Sequence, residues 1–537
     1  MSAGCFIQVI LPLRLEWVPW YRNPRPLEAG VRVSVFFARR RYVGVVLQCT
    51  ETPGLDESKI QSIDRVCDEL PPVSAEELAF WDFLSGYYLC GLGEVYKAAY
   101  PAGKILSEQK AASILERLRQ RLAIREESLA KKHRDNVRER LEAERDTIKQ
   151  QIAELTRIPS ARTARKSSRP PRPVLLTGAG RPEHYLELCR TTLAQGLNVL
   201  VLTPEIAIGD LLGRMFEDAF PGQVHIMNSH VTEARRRRTA EDLRCFGGQV
   251  VIGARSALFL PFSRLGLIIV DNEQDPFYKQ TEHNPRYNAR DAAVMLGRIH
   301  GCPVVLGSPS PSLESYYNAL CGKYELQQAG RPATPMTIID VSEERRKNGM
   351  VGHFSRKLIE AATLSGGPIA LIRGWEKPDE LLLQAAETFK DVGTDIYTPA
   401  QARLTDLGRY SLVAVLQADA LFPDEGFRSD ERTVQVLAML REQCRGAFVV
   451  QTAKQEHPVF RSFEDIYPRL LEERRSFGLP PFTRLVDTDF GGRKERLVLT
   501  PGGSMAKKKQ ELRARALDFE KKSAGRVRVT IDVDPIQ

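Results

Sequence analysis

The stretch TGAGRPE, Thr177 to Glu183, lies between PVLL, a short apolar run, and HYLELCRTTLAQG, which has helical spacing. Strand, glycine loop, helix is the layout of a phosphate-binding loop, in which backbone N–H groups face the phosphates and a Lys-Thr pair completes the site. Here Arg181 and Pro182 stand in place of that pair. Further apolar runs follow at intervals: NVLVLTP, QVVIGA, LGLIIVD and CPVVLGS, separated by helical stretches. That alternation predicts a parallel sheet with helices on both faces over residues 173–330. TIIDV, PIALIR, LVAVLQAD and AFVVQT repeat the pattern and predict a second α/β lobe over residues 331–470.

Outward from these lobes the chain changes character. Residues 1–104 are rich in β-branched and aromatic residues, and Val31 to Gln48 reads as two strands around a basic turn at Arg39, Arg40 and Arg41. FWDFLSGYYLCGLGEVYKAAYP, from Phe80, has helical spacing. Residues 105–172 form a charged helical segment followed by a basic Pro/Ser linker, Arg157 to Arg172. The helical segment is either a solvated spacer or a coil for a partner. Residues 471–537 predict a small α+β unit ending in RVRVTIDVDP.

The 537 residues carry a formal charge of +9, a mild basic excess compatible with nucleic acid. No apolar run is long enough for a membrane span, so membrane association is not expected. None of the nine cysteines forms a Cys-x-x-Cys pair, which argues against a thiolate zinc site. The absence of an export signal and the odd cysteine count predict reduced thiols and a cytoplasmic setting.

LGLIIVDNEQD ends a buried strand in acidic residues, where a nucleotide hydrolase holds Mg²⁺ and polarises water. Asp271 is present, but Asn272 follows it, and an amide cannot take the water's proton. TPEI, IGARSALFLPF, YKQ…RYNARD, GSPSPSLESYYNALCGKY, LQADALFPDEGFRSDERTVQ, ERRSFGLPPF and the terminal DVDP then come in order. LPL, GVRVSVFFARRRYVGVV and YYLCGLGEVYKAAYPAG precede them. With these motifs the chain resembles the primosomal protein N′ (PriA) family of superfamily 2 replication-restart helicases, as a shortened and degenerate member.

The resemblance implies a β-rich N-terminal domain that captures a DNA 3′ end, two RecA-like lobes holding ATP and Mg²⁺, and a small C-terminal DNA-binding domain. It places Gly178, Gly180, Arg181, Asp271 and Glu273 at the nucleotide site. It places Tyr21, Arg39, Arg40, Arg41, Lys59, Lys279, Arg286, Tyr287 and Arg290 on DNA. Arg290 with Asp291 reads equally as a buried ion pair.

Against the family pattern, Leu175 replaces the first loop glycine and AMLREQCRG replaces the arginine motif of the second lobe. The family's cysteine-rich zinc insertion does not follow PIALIR, so no zinc is expected. The winged-helix segment is replaced by the charged helices and linker. These losses together predict a protein that binds branched or single-stranded DNA without helicase activity, beside primosome proteins or an intact paralogue. The alternatives are an ATP-dependent 3′→5′ helicase with an atypical loop and an interaction scaffold using the helical segment.

Overall fold

The computed structural model describes residues 5–53, 55–100, 111–131, 135–156, 170–204, 206–228, 230–330, 333–374, 378–421, 426–502, 504–523 and 526–536. Most of the linker at 157–172 lies outside them.

Five strands make the first sheet: β1 (Cys5–Ile10), β2 (Trp20–Asn23), β3 (Arg32–Phe37), β4 (Arg40–Thr50) and β5 (Arg65–Val66). Their order is β2-β1-β4-β3-β5, with every neighbour antiparallel. The β3–β4 turn runs through Ala38 and Arg39, both at positive φ. That geometry matches the right-handed twist of a two-residue hairpin. Two helices follow, α1 (Ala75–Tyr88) and α2 (Leu92–Ala99). Cys5 and Cys49 form a disulfide between β1 and β4, which corrects the expectation of reduced thiols at this pair.

The charged segment folds into α3 (Ala111–Leu129) and α4 (Asp135–Thr156). Arg125–Glu144 and Lys149–Glu126 ion pairs give them antiparallel register. The pair is not a free spacer. Leu118 and Ile148 bury against Phe246, and Arg117 pairs with Glu241 and Asp242 on the adjoining lobe.

That lobe holds β6 (Val174–Thr177), β7 (Asn198–Leu202), β8 (Val224–Met227), β9 (Val250–Gly253), β10 (Leu265–Val270), β11 (Val304–Ser308) and β12 (Glu325–Gln328). The order is β12-β6-β11-β10-β7-β9-β8, parallel throughout. Its helices are α5 (Arg181–Ala194), α6 (Ile206–Ala219), α7 (Glu233–Cys245), α8 (Ala289–His300) and α9 (Leu313–Leu320).

The second lobe contains β13 (Met336–Asp340), a ribbon of β14 (Met350–Val351) and β15 (Phe354–Ser355), then β16 (Ile369–Ile372), β17 (Thr394–Tyr397), β18 (Leu412–Val415) and β19 (Ala447–Thr452). The main sheet is parallel in the order β13-β19-β18-β16-β17. It carries α10 (Val341–Lys347), α11 (Arg356–Leu364), α12 (Pro378–Thr388), α13 (Pro399–Arg403), α14 (Ser429–Gln443) and α15 (Phe463–Ser476).

The chain closes with β20 (Arg484–Phe490), β21 (Lys494–Leu499), α16 (Ser504–Lys522) and β22 (Val529–Val533), an antiparallel sheet with one helix. One apolar core runs from α1 and α2 through the first lobe to β20–β22. A separate cluster fills the second lobe, and Leu313 and Tyr316 of α9 belong to it.

Candidate nucleotide cleft and nucleic-acid surface

β6 delivers the glycine loop to the carboxyl edge of the first lobe's sheet, beside β11 and near the end of β10. Gly178 and Gly180 take φ values of 92° and 136°, which a side chain would strain. A Cβ on Gly178 would also come within 2.8 Å of the Ala329 carbonyl, so the loop is pressed onto the strand beside it. Leu175, where the first loop glycine would stand, is fully buried within β6.

Arg181 starts α5 and is buried, unlike a lysine reaching out of a loop. Its guanidinium donates to the Gly178 carbonyl at 3.0 Å and to Glu442 at 2.5 Å, and lies 3.7 Å from Asp271. Burial opposes its charge, but Glu442, Tyr185 and Asp271 outweigh that and hold it above the ordinary arginine range. Glu442 comes from α14 of the second lobe, within the stretch that replaces the arginine motif. A family site would gather cations around phosphate, whereas here cation and anion neutralise each other across the cleft.

Asp271 is committed as well. Its Oδ1 accepts from the Tyr185 hydroxyl at 2.9 Å and its Oδ2 from Asn272 Nδ2 at 3.0 Å. The Tyr185 hydroxyl fills the space above Gly307, where a Cβ would stand 1.7 Å from it. Glu273 serves a different purpose. It accepts from the Ser312 amide (2.6 Å) and from the Ser312 and Ser315 hydroxyls (3.0 and 2.8 Å), and it pairs with Arg290 at 3.3 Å. Burial raises its pKa, with Arg290 and the serines opposing. It thus fixes the start of α9 and does not face the loop, which corrects its placement at the nucleotide site.

Among the described residues there is no cluster of three or more metal-ligating side chains. ATP with Mg²⁺ does not fit these residues: a buried guanidinium pairs with Glu442 and Asp271 beside the loop, Pro182 removes one N–H, and Asp271 already accepts from Tyr185 and Asn272.

The lobes meet elsewhere too. Arg403 of α13 pairs with Asp275, Arg428 with Glu314 at 2.6 Å, and Glu431 accepts from the Leu313 amide at 2.9 Å. The Tyr467 hydroxyl donates to the Pro311 carbonyl at 2.6 Å.

Several expected DNA residues lie in the interior. Tyr21 is buried under the first sheet, its hydroxyl 3.3 Å from the Phe36 carbonyl, and burial pushes its phenol up to about 12. Lys279 donates to the Arg286 and Val533 carbonyls, both at 2.6 Å, and pairs with Asp532 at 2.7 Å. Tyr287 packs edge-on against Phe259. Arg290 bridges Asp291, Glu273 and Ser312. These four are corrected from DNA contacts to packing groups: Tyr21 belongs to the core of the N-terminal sheet, and the segment after β10 that carries the other three is clasped by α1, α2 and β22.

Arg39, Arg40 and Arg41 are exposed at the β3–β4 turn, with Arg41 paired to Asp64 at 3.0 Å. Lys59 is exposed 3.9 Å from Asp56, and Arg286 is half-buried 3.9 Å from Asp532. Sequence reasoning missed Tyr185 and Glu442. The available signal for Glu442 was an acid within a stretch where arginines are expected, opposite an altered loop.

Residues 8–101 match the PriA family model described as 3'DNA-binding domain (3'BD). Replication restart protein PriA of Chlamydia pneumoniae is 41% identical over 191 residues, 34% of this chain and 25% of that protein. The PriA of Bacillus subtilis (strain 168) is 38% identical over 190 residues, 34% of this chain and 23% of that one. The PriA of Rickettsia prowazekii (strain Madrid E) is 31% identical over 340 residues, 62% of this chain and 47% of that protein. The chain therefore matches between 23% and 47% of the length of these relatives.

RecG bound to a three-way DNA junction aligns with a TM-score of 0.32 at 14% identity, covering 75% of this chain and 51% of that one. A score of that size carries no argument about fold, which rests on the two sheet orders. Two parallel α/β lobes behind a 3′DNA-binding domain define a protein of helicase-like architecture. Within that class, residues 8–101 match the PriA 3'DNA-binding domain, and the chain is similar to these PriA proteins over up to 62% of its length.

Proposed function

We propose that this chain is a DNA-binding protein of replication restart that holds branched or single-stranded DNA without turning over ATP. The observation that carries this reading is Arg181 clamped between Asp271 and Glu442, where a phosphate and its metal would have to lie. Loop lysine, catalytic acid and arginine motif each supply several kcal/mol of transition-state stabilisation in working phosphoryl-transfer enzymes. All three are replaced here. The 3′DNA-binding domain match and the exposed Arg39, Arg40 and Arg41 support the DNA half of the reading. Lys59 and Arg286 extend it. The protein then works in the cytoplasm beside primosome proteins or an intact PriA paralogue, and it holds no zinc.

DNA-stimulated ATP hydrolysis and fork-DNA binding, measured on one preparation, test both halves. Fork binding without hydrolysis is expected. A turnover near 1 s⁻¹, of ordinary enzyme size, that Asp271→Ala abolishes would sink the first half. Equal affinity for fork and plain duplex at physiological salt would sink the second. Arg181→Lys with Pro182→Thr should not restore turnover, because Asn272 and Glu442 remain.

A further inference from the structure

α7 carries four consecutive arginines, Arg235 to Arg238. Thr232 caps the helix by accepting from the Arg235 amide, so the run occupies its first half. Arg235 and Arg238 are exposed, and Arg236 and Arg237 half-buried. Among the described residues none of the four closes an ion pair. The acids one turn further on, Glu241 and Asp242, are bonded instead to Arg117 of α3, at 3.4 and 2.7 Å. Like charges three and four residues apart repel. Arg237 and Arg238 still act on Glu241 and Asp242, and Arg236 donates to the Asn228 carbonyl at 3.4 Å, but two acids facing Arg117 and four further arginines leave the run with a net positive charge.

Its position adds a second constraint. β8 ends at Met227 and α7 begins at Glu233, so the arginines stand at the carboxyl edge of the parallel sheet, where α/β folds bind ligands. At the other end of α7, Arg244 donates to the Tyr100 hydroxyl at 3.1 Å. Arg32 stacks on the Tyr100 ring, 4.5 Å from its centroid, and bonds Tyr96, whose hydroxyl reaches the Val43 carbonyl of β4. The helix spans roughly 20 Å at 1.5 Å per residue. Side-chain contacts thus join the arginine helix to the strand that carries Arg40 and Arg41.

We propose that the Arg235–Arg238 face of α7 binds the sugar-phosphate backbone of DNA, as a sequence-independent anchor separate from the N-terminal domain. This rests on the DNA-binding reading above and adds where the DNA lies. It also accounts for the loop after β10: with Lys279 and Arg290 taken up in packing, the first lobe's backbone contact falls to α7.

The test measures full-length protein binding to forked DNA, by anisotropy across a salt series, for wild type, Arg235→Glu/Arg238→Glu and Arg235→Lys/Arg238→Lys. The charge reversal should weaken binding about tenfold or more at fixed salt and flatten the log–log salt slope by about 2, near 1 per lost phosphate contact. It should do so equally for forks ending in a 3′-hydroxyl or a 3′-phosphate, while the lysine variant keeps the wild-type slope. Wild-type affinity and slope in the charge-reversed protein, beside a weakened Arg39→Ala/Arg40→Ala/Arg41→Ala control, would overturn the anchor alone. Competition by polyglutamate as effective as that by duplex DNA would overturn its assignment to DNA. A wild type that binds no fork DNA removes the underlying reading and the anchor with it.

Discussion

At the scale of single residues, the cleft replaces a ligand with a side chain. Removing one partner of a buried ion pair leaves the other charged and unsolvated, which costs about 3–5 kcal/mol. Arg181→Ala removes the cation from between Asp271 and Glu442, so the unfolding free energy in urea should fall by up to that amount. A loss within about 0.5 kcal/mol, the usual range of a surface change, would show that the pair does not form. Tyr21 gives a pH-dependent case. The folded protein keeps its phenol proton up to about pH 12, whereas the unfolded chain loses it near the ordinary phenol value of 10.0. Its contribution is therefore whole below pH 10 and lost as pH rises from 10 to 12. Tyr21→Phe should flatten the decline of stability across that window, and an unchanged decline would refute the shift. The altered loop was plain in the sequence, because Arg181 and Pro182 differ in chemistry from what a phosphate needs. What filled the vacated space was not. Glu442 is 261 residues from Arg181, and only the folded chain brings them together.

At the scale of elements, most lobe strands that sequence reading found have both faces covered, the edge strand β13 being an exception. β7, β9, β10 and β11 are continuous apolar runs because helices pack on either side. In the main sheets of the two lobes, the strands it missed, β8, β12 and β17, lie at sheet edges. Their sequences, VHIM, ELQQ and TDIY, mix polar and apolar residues because an edge needs less burial. The charged segment shows the same limit in reverse. Its helices were legible, but their docking hangs on three buried side chains, Leu118, Ile148 and Phe246, with Arg117 beside them. Leu118→Ala should cost about 2–5 kcal/mol if the surroundings do not collapse. The effect should appear as faster amide exchange in α3 and α4 while β7 and β10 stay protected. Equal acceleration throughout the first lobe would mean that the hairpin is an integral part of its core and not a docked element.

At the scale of the whole molecule, the lobes are joined by more than the cleft pair. Leu313 and Tyr316 follow the first lobe's β11 yet pack in the second lobe's core, with Arg474 and Glu431 buried and Arg428 half-buried beside them. The N-terminal domain, first lobe and C-terminal unit share another core, with Lys279 bonded to β22 at its centre. Nucleotide-driven machines need two lobe arrangements of similar energy, with the ligand binding one better than the other. A ligand kept out of the cleft would have no such preference to exert. To enter, ATP would have to separate Arg181 from Glu442, expose the Asp271 carboxylate and displace the Tyr185 hydroxyl. Amide exchange should therefore be the same with and without excess AMP-PNP and Mg²⁺ over residues 177–183 and 438–446, the two sides of the cleft. Fork DNA should in contrast slow exchange in the β3–β4 turn and the first half of α7. Nucleotide-dependent protection at the loop would show that the ion pair opens, and the closed cleft would then be one state of a moving pair of lobes.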